Sequence, residues 1–269
     1  MEKSRNMALI SKYRANFWRV PGWFPLVDFE FLLNINGVQQ ITGVRGDILE
    51  IGTYKGKSGI LLSLCAEKSE TVRLLDLYTD IRLTKNIESI DYKSLNDGLT
   101  RKNLNKYGSK YELVFGNSLE IPSLIPTEPH RIIHIDGSHQ YEIVRRDLEN
   151  ALNLLSRRGV IVLDDYRNVD YPGVSRAFWE FYESNDLEII CATPSRIYMT
   201  QKEFTEMYLM AIKKLSHLQI SQSLGGADMN VFDLITFKGR KKLIQKIHSF
   251  MSLLVLFMCR IPKILIPNK

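Results

Sequence analysis

The stretch Gly46-Asp47-Ile48-Leu49-Glu50-Ile51-Gly52-Thr53-Tyr54-Lys55-Gly56-Lys57-Ser58-Gly59 decides how this chain is read. A short apolar strand carrying one acid runs into a glycine loop, and an apolar helix over Ile60 to Ala66 follows. Such a unit turns backbone N–H groups and a helix N-terminus toward the anionic end of a ligand. Gly52, Gly56 and Gly59 read G-x3-G-x2-G, whereas seating a pyrophosphate takes G-x-G-x-x-G. Glu50 lies two residues before the first glycine, where a carboxylate can take a cationic amine. A ligand with an amino-acid end and no phosphates fits that pattern better than a dinucleotide. An ordinary tight turn between strand and helix has the same local chemistry, so the loop needs support from elsewhere in the chain.

That support begins with an alternation of strands and helices on either side. Ile48–Ile51, Val72–Leu77, Glu112–Phe115, Arg131–Ile135 and Gly159–Leu163 read as short buried strands. Between the last two, Val144, Leu148, Ala151, Leu152 and Leu155 mark one face of a helix over Tyr141–Leu155 that stops near Gly159. Arg176–Glu183 reads as a further helix, and Leu187–Ala192 with Arg196–Thr200 as terminal antiparallel strands. The class is α/β: a mostly parallel sheet with helices on both faces. An N-terminal helical lead-in (1–45), containing the aromatic turn Pro21-Gly22-Trp23-Phe24-Pro25, precedes the core domain (46–202). A C-terminal helical extension (203–269) follows, with Phe204–Leu218 as its clearest helix.

With 269 residues, 45% hydrophobic and 25% charged, the chain can bury one full α/β core and carry an appendage. Cys65, Cys191 and Cys259 are odd in number and outside any metal-ligand spacing, which favours a reducing cytoplasm over a disulfide framework. The N-terminus lacks the apolar run of a signal peptide. The net charge of +6 is unevenly placed: residues 1–19 carry +4 and residues 238–269 carry +8, leaving −6 on the body between them. That distribution argues against a nucleic-acid face. The apolar run Phe250–Cys259, flanked by Lys241, Lys242, Lys246 and Arg260, is shorter than the roughly 20 residues that cross a bilayer. Residues 240–266 suit peripheral contact with the inner face of a membrane, or packing on the body or on a second copy of the chain.

The candidate site residues cluster at predicted strand ends. Asp76 closes the second strand, 20 residues after Gly56, where an acid can accept hydrogen bonds from two ribose hydroxyls; it could equally cap the next turn. Gly116-Asn117-Ser118 follows the third strand, where an adenine would lie, although turn chemistry explains these residues as well. Asp136 and His139 follow the fourth strand, and Asp164-Asp165 end the fifth. Carboxylates gathered at one rim repel one another unless a cation neutralises them, and a hard divalent ion such as Mg2+ is the expected neutraliser. His139, three residues beyond Asp136, is the candidate base, imidazole being the side chain suited to taking a proton near neutrality. It could instead cap the next helix or bond a carboxylate. His134, inside the strand, reads as a core residue or a support behind the site.

Glu50–Ser58, the Asp136-Gly-Ser-His-Gln-Tyr141 segment with Asp147 behind it, and Gly159–Tyr166 together resemble bacterial class I methyltransferases of the "methyltransferase 24" type. These are related to the macrocin O-methyltransferase and cephalosporin hydroxylase families. The resemblance covers about residues 20–200, including Pro21-Gly22-Trp23, and not the C-terminal tail. It implies a Rossmann-like seven-stranded sheet whose last strand is antiparallel. It also implies S-adenosylmethionine held by Glu50, Gly52, Thr53, Tyr54, Gly56, Ser58, Asp76, Asn117, Ser118 and Asp136. A divalent ion, Mg2+ or another, would sit on Asp136, Asp164 and Asp165, with Asp136 and His139 as catalytic residues. In metal-dependent catechol O-methyltransferases, which the site resembles, a basic residue likewise follows the first metal aspartate by three. The chain departs at Asn117, where relatives often carry Asp, and at Arg158, where a glycine is common; Gly159 is expected to supply that turn.

The expected activity is therefore methyl transfer to a hydroxyl of a sugar, glycolipid or natural product. Two alternatives stand beside it. An oxygenase of the cephalosporin hydroxylase kind would need two histidines and a carboxylate on iron, and only His139 lies near these acids. A non-catalytic subunit at the membrane that binds S-adenosylmethionine would have no need of mutually repelling carboxylates.

Overall fold

The computed structural model describes residues 2–78, 97–108, 110–212, 218–224 and 232–237. The basic apolar tail, including the run Phe250–Cys259, lies outside them. The lead-in comprises α1 (Glu2–Ala15) and α2 (Leu26–Thr42). Then come β1 (Asp47–Ile51), α3 (Lys57–Cys65), β2 (Val72–Asp76), α4 (Asp97–Lys106), β3 (Glu112–Phe115) and α5 (Ile121–Leu124). The second half holds β4 (His130–Ile135), α6 (Tyr141–Leu154), β5 (Leu155–Leu163), α7 (Pro172–Glu183), β6 (Leu187–Ala192) and β7 (Ile197–Gln201). The extension contributes α8 (Thr205–Ile212), β8 (Leu218–Leu224) and β9 (Phe232–Phe237).

Seven strands in the order β3-β2-β1-β4-β5-β7-β6 form the Rossmann-like sheet. Neighbours from β3 to β5 run parallel, and β7 is antiparallel to both β5 and β6. The extension adds to this sheet: β9 pairs parallel with β6, and β8 antiparallel with β9. Strand side chains alternate between two cores, as a period of two requires. Ile48, Leu74, Ile132, Val160 and Val162 pack toward α2 and α3, whereas Leu49, Leu75, Ile133, Ile135, Ile161 and Leu163 pack toward α6 and α7.

Two local details position the site. The lead-in folds over the start of α3: Tyr13 donates to the Lys57 carbonyl at 2.5 Å, and Lys57 Nζ donates to the Gly22 carbonyl at 3.1 Å. Tyr13, Phe17 and Phe29 form the aromatic cluster that seats it. Gly159, expected to form a turn, instead lies within β5, and α6 ends at Leu154. A glycine is needed there for close approach, since a Cβ would meet Leu155 Cδ1 at 2.6 Å and the His130 carbonyl oxygen at 2.9 Å.

Candidate active site

The register of the sheet aligns the acids. Glu50 lies beside His134 in the β1–β4 pairing, and Ile135 beside Leu163 in the β4–β5 pairing, so Asp136 and Asp164 leave adjacent strands at the same rim. Because β7 is antiparallel, its N-terminal end meets the C-terminal end of β5. The Leu163–Ile197 pair places Arg196 next to Asp164. The sheet thus delivers a cation to the rim where its parallel strands deliver acids.

Arg196 is wholly buried and its guanidinium is the hub of the site. Nη2 donates to Asp136 Oδ2 at 2.8 Å, to Asp164 Oδ2 at 2.7 Å and to the Trp23 carbonyl at 3.2 Å. Nη1 donates to Ser195 Oγ at 3.1 Å and faces Asp28 Oδ2 at 3.6 Å. Nε donates to His134 Nε2 at 3.1 Å. Because a guanidinium only donates, His134 Nε2 must accept, and its proton belongs on Nδ1, 2.9 Å from Glu50 Oε1. Burial and the Arg196 charge lower the His134 pKa to about 3, so the ring is neutral. A continuous hydrogen-bonded path therefore links the loop acid Glu50 to the Asp136–Asp164 pair. Arg196 was not singled out from the sequence. Its signal was a cationic residue directly before the antiparallel strand, legible only once the strand order is known.

Glu50 is itself fully buried, and burial lifts its pKa to about 7 against the nearby Ser58 and Thr53 hydroxyls and the charge of Arg196. Neither hydroxyl completes a hydrogen bond to Oε2, which is left without a partner. Above it the loop is held from several sides. Gly52 (φ 87°) passes so close to β4 that a Cβ would sit 2.1 Å from the Asp136 carbonyl oxygen. Tyr54 (φ 50°) donates its N–H to Asp76 Oδ2 at 2.6 Å, and Leu77 N–H donates to Oδ1 at 2.7 Å. Thr100 and Asn103 of α4 bond the Tyr54 and Lys55 carbonyls at 2.6 and 2.9 Å. Gly56 (φ 80°) precedes α3 without a side-chain cap, and Ser58 lies in the first turn. Glu50's unpartnered oxygen, the uncapped N-terminal turn of α3 and Asp76 fit the amino-acid and ribose portions of S-adenosylmethionine. Asn117 caps a short turn over Ser118–Glu120, accepting from Leu119 N–H at 3.0 Å, as turn chemistry alone would have it.

The third expected metal ligand goes elsewhere. Asp165 (φ 56°) accepts from Asn168 Nδ2 at 2.9 Å and pairs with His139 Nε2 at 3.1 Å. Burial opposes its charge, but the bonds from His139 and Asn168 outweigh that and hold its pKa low. The His139 ring stacks on Tyr171 at 3.8 Å and 7°. Asp136, Asp164 and Asp165, expected to share one divalent ion, are therefore divided between Arg196 and His139. As disposed they do not fit a metal, and among the described residues no group of three His, Cys, Asp or Glu could hold one. Asp136, expected to be catalytic, is bound through Oδ2 to Arg196. Burial raises the pKa of Asp136 to about 6 and that of Asp164 well above the carboxylate norm, with Arg196 pulling both back.

The fold is the Rossmann-like one seen in class I methyltransferases. Residues 49–166 match the family described as "Methyltransferase domain". Among solved structures, the O-methyltransferase NovP is similar at 18% identity and a TM-score of 0.54, over 65% of this chain and 80% of that one. Cofactor-bound Rv0187 from MTB is similar at 19% identity and a TM-score of 0.51, over 72% and 88%. A putative O-methyltransferase from Klebsiella pneumoniae gives 18%, 0.51, 72% and 89%. These likenesses concern the fold. No curated protein sequence matches the chain significantly.

Proposed function

We propose that this protein is an S-adenosylmethionine-dependent O-methyltransferase acting on a hydroxyl of a small-molecule or glycan acceptor. The observation that carries the reading is the pairing of His139 with Asp165 at the rim that also bears the glycine loop. When bound, S-adenosylmethionine would supply an electrophilic methyl group to the acceptor oxygen, the O–C bond forming as the S–C bond breaks and the neutral thioether S-adenosylhomocysteine departing. The side chains must then bind, orient and remove a proton. Asp165 accepts from His139 Nε2, which leaves the lone pair of the neutral ring on Nδ1 to take the acceptor's proton. The Asp165 carboxylate then stabilises the imidazolium, while stacking on Tyr171 fixes the ring plane.

Acceptor binding is assigned to the aromatic surface over the rim. Trp23 is 72% exposed, and its ring lies 5.0 Å from that of Tyr54 in the loop. Tyr171 provides a second flat face beside His139. Flat apolar faces beside hydrogen-bonding acids suit a sugar or phenolic ring. The test is methyl transfer from labelled S-adenosylmethionine to a panel of glycan and phenolic acceptors. Label appearing in an ether-linked product supports the reading. Label recovered on carbon or nitrogen, or none with any acceptor despite cofactor binding, contradicts it.

A further inference from the structure

We propose that Arg196 is the resident cation of this site, holding Asp136 and Asp164 together where a divalent ion was expected, so that the protein works without one. The inference rests on the methyl-transfer reading for its functional meaning, but its geometry does not depend on it.

The two acids leave adjacent parallel strands, and their charges oppose each other at the rim. One nitrogen of Arg196 lies at 2.8 Å from the first and 2.7 Å from the second. Its charge is permanent, since a guanidinium does not lose its proton in proteins. It is also immobilised. Arg196 N–H donates to Thr193 Oγ1 at 3.0 Å, its carbonyl accepts from Thr193 N–H at 2.7 Å, and Thr193 Oγ1 donates to Asp28 at 2.7 Å. The Phe24 ring lies 5.0 Å from the guanidinium, and the Trp23 carbonyl accepts from it. Moving the arginine out would break the lead-in turn, the link to His134 and the turn before β7 together.

A magnesium ion asks for six oxygens at about 2.0–2.1 Å in near-octahedral array. Here the oxygen that each acid turns inward is already taken by Nη2, and a second cation would face a fixed positive charge. The third acid is engaged by His139 and Asn168. Asp136, 24% exposed, keeps acceptor capacity toward solvent for a substrate hydroxyl. Arg196 is thus a positioning residue: it neutralises the pair and fixes how Asp136 is presented.

Mn2+ titration of the full chain, followed by paramagnetic resonance with and without S-adenosylhomocysteine, tests this. The wild-type protein is expected to bind no Mn2+ below millimolar concentrations, and EDTA to leave S-adenosylhomocysteine affinity unchanged. In Arg196→Met the uncovered carboxylates should gain Mn2+ affinity by tenfold or more, and Asp164→Asn on that background should remove the gain. A merely structural arginine would not produce that signature. Tight binding of one Mn2+ to the wild-type protein, lost in Asp164→Asn, would overturn the proposal. The wild-type titration decides the matter even if Arg196→Met does not fold. Failure of the methyl-transfer reading is read separately, as absence of S-adenosylhomocysteine binding.

Discussion

His139 Nε2 lies 3.1 Å from Asp165 Oδ2, and the acid that makes this contact sits at a left-handed backbone position, φ 56°. Such a conformation is costly for a residue with a Cβ and persists where the surroundings impose it, often at functional sites. The turn is secured by Asn168, whose side chain donates to Asp165 Oδ1 and whose N–H donates to the Asp165 carbonyl at 3.1 Å. With His139 as base, His139→Ala should lower turnover by about a hundred- to ten-thousand-fold while S-adenosylhomocysteine affinity stays within about twofold. Asp165→Asn should fall between that variant and wild type. Turnover within a few-fold of wild type in His139→Ala would remove the histidine from the chemistry.

Glu50 gives the protein a pH-dependent component of stability. Its pKa in the folded chain is raised to about 7, so the folded state holds a proton that the unfolded chain releases near pH 4.5. The contribution is complete below the unfolded value and is lost as pH rises from there through about 7. From the shift, the loss amounts to about 3 kcal/mol as an upper figure. Urea denaturation at pH 5 and pH 7.5 should show this loss in the wild-type chain, and a flatter dependence in Glu50→Gln. Identical pH slopes for both proteins would contradict the assignment.

Two glycines separate a steric requirement from simple helix propensity. In Gly52→Ala the new Cβ would sit 2.1 Å from the Asp136 carbonyl oxygen at a φ of 87°. The substitution should cost at least about 2 kcal/mol and abolish S-adenosylhomocysteine binding. Gly37→Ala, inside α2 with nothing within 4 Å of its Cβ, should instead stabilise by up to about 1 kcal/mol. Thermal melts and cofactor titration of both variants check this, and normal binding by Gly52→Ala would mean the loop packs differently.

Trp23 separates acceptor binding from folding. Its backbone carbonyl serves Arg196, but its side chain is 72% exposed. Trp23→Ala should therefore leave stability within about 0.5–1 kcal/mol of wild type and raise the acceptor KM by tenfold or so. An unchanged KM would place the acceptor away from this surface.

Much of this arrangement could be read before the fold was known, because parallel strands buried on both faces are near-continuous apolar runs whose terminal acids stand out. Glu50, Asp76, Asp136, Asp164 and Asp165 all stood out in that way. What escaped was pairing. Nothing local to Arg196 distinguishes it from a surface arginine, and its partners lie 60 and 32 residues earlier. Only the antiparallel register of β7 brings them together, a pairing that the acids alone do not reveal. The β8 and β9 strands were missed for a related reason: β6, the sheet strand on which β9 pairs, is remote in sequence, and a polar-interrupted run such as Leu218–Leu224 carries little pattern of its own.

Calorimetric titration of S-adenosylhomocysteine into the EDTA-treated full chain tests the central claim most directly. Saturable one-site binding, with no heat from NAD and no change on adding Mg2+, is the predicted result. Binding of NAD instead, or of neither ligand, would contradict it.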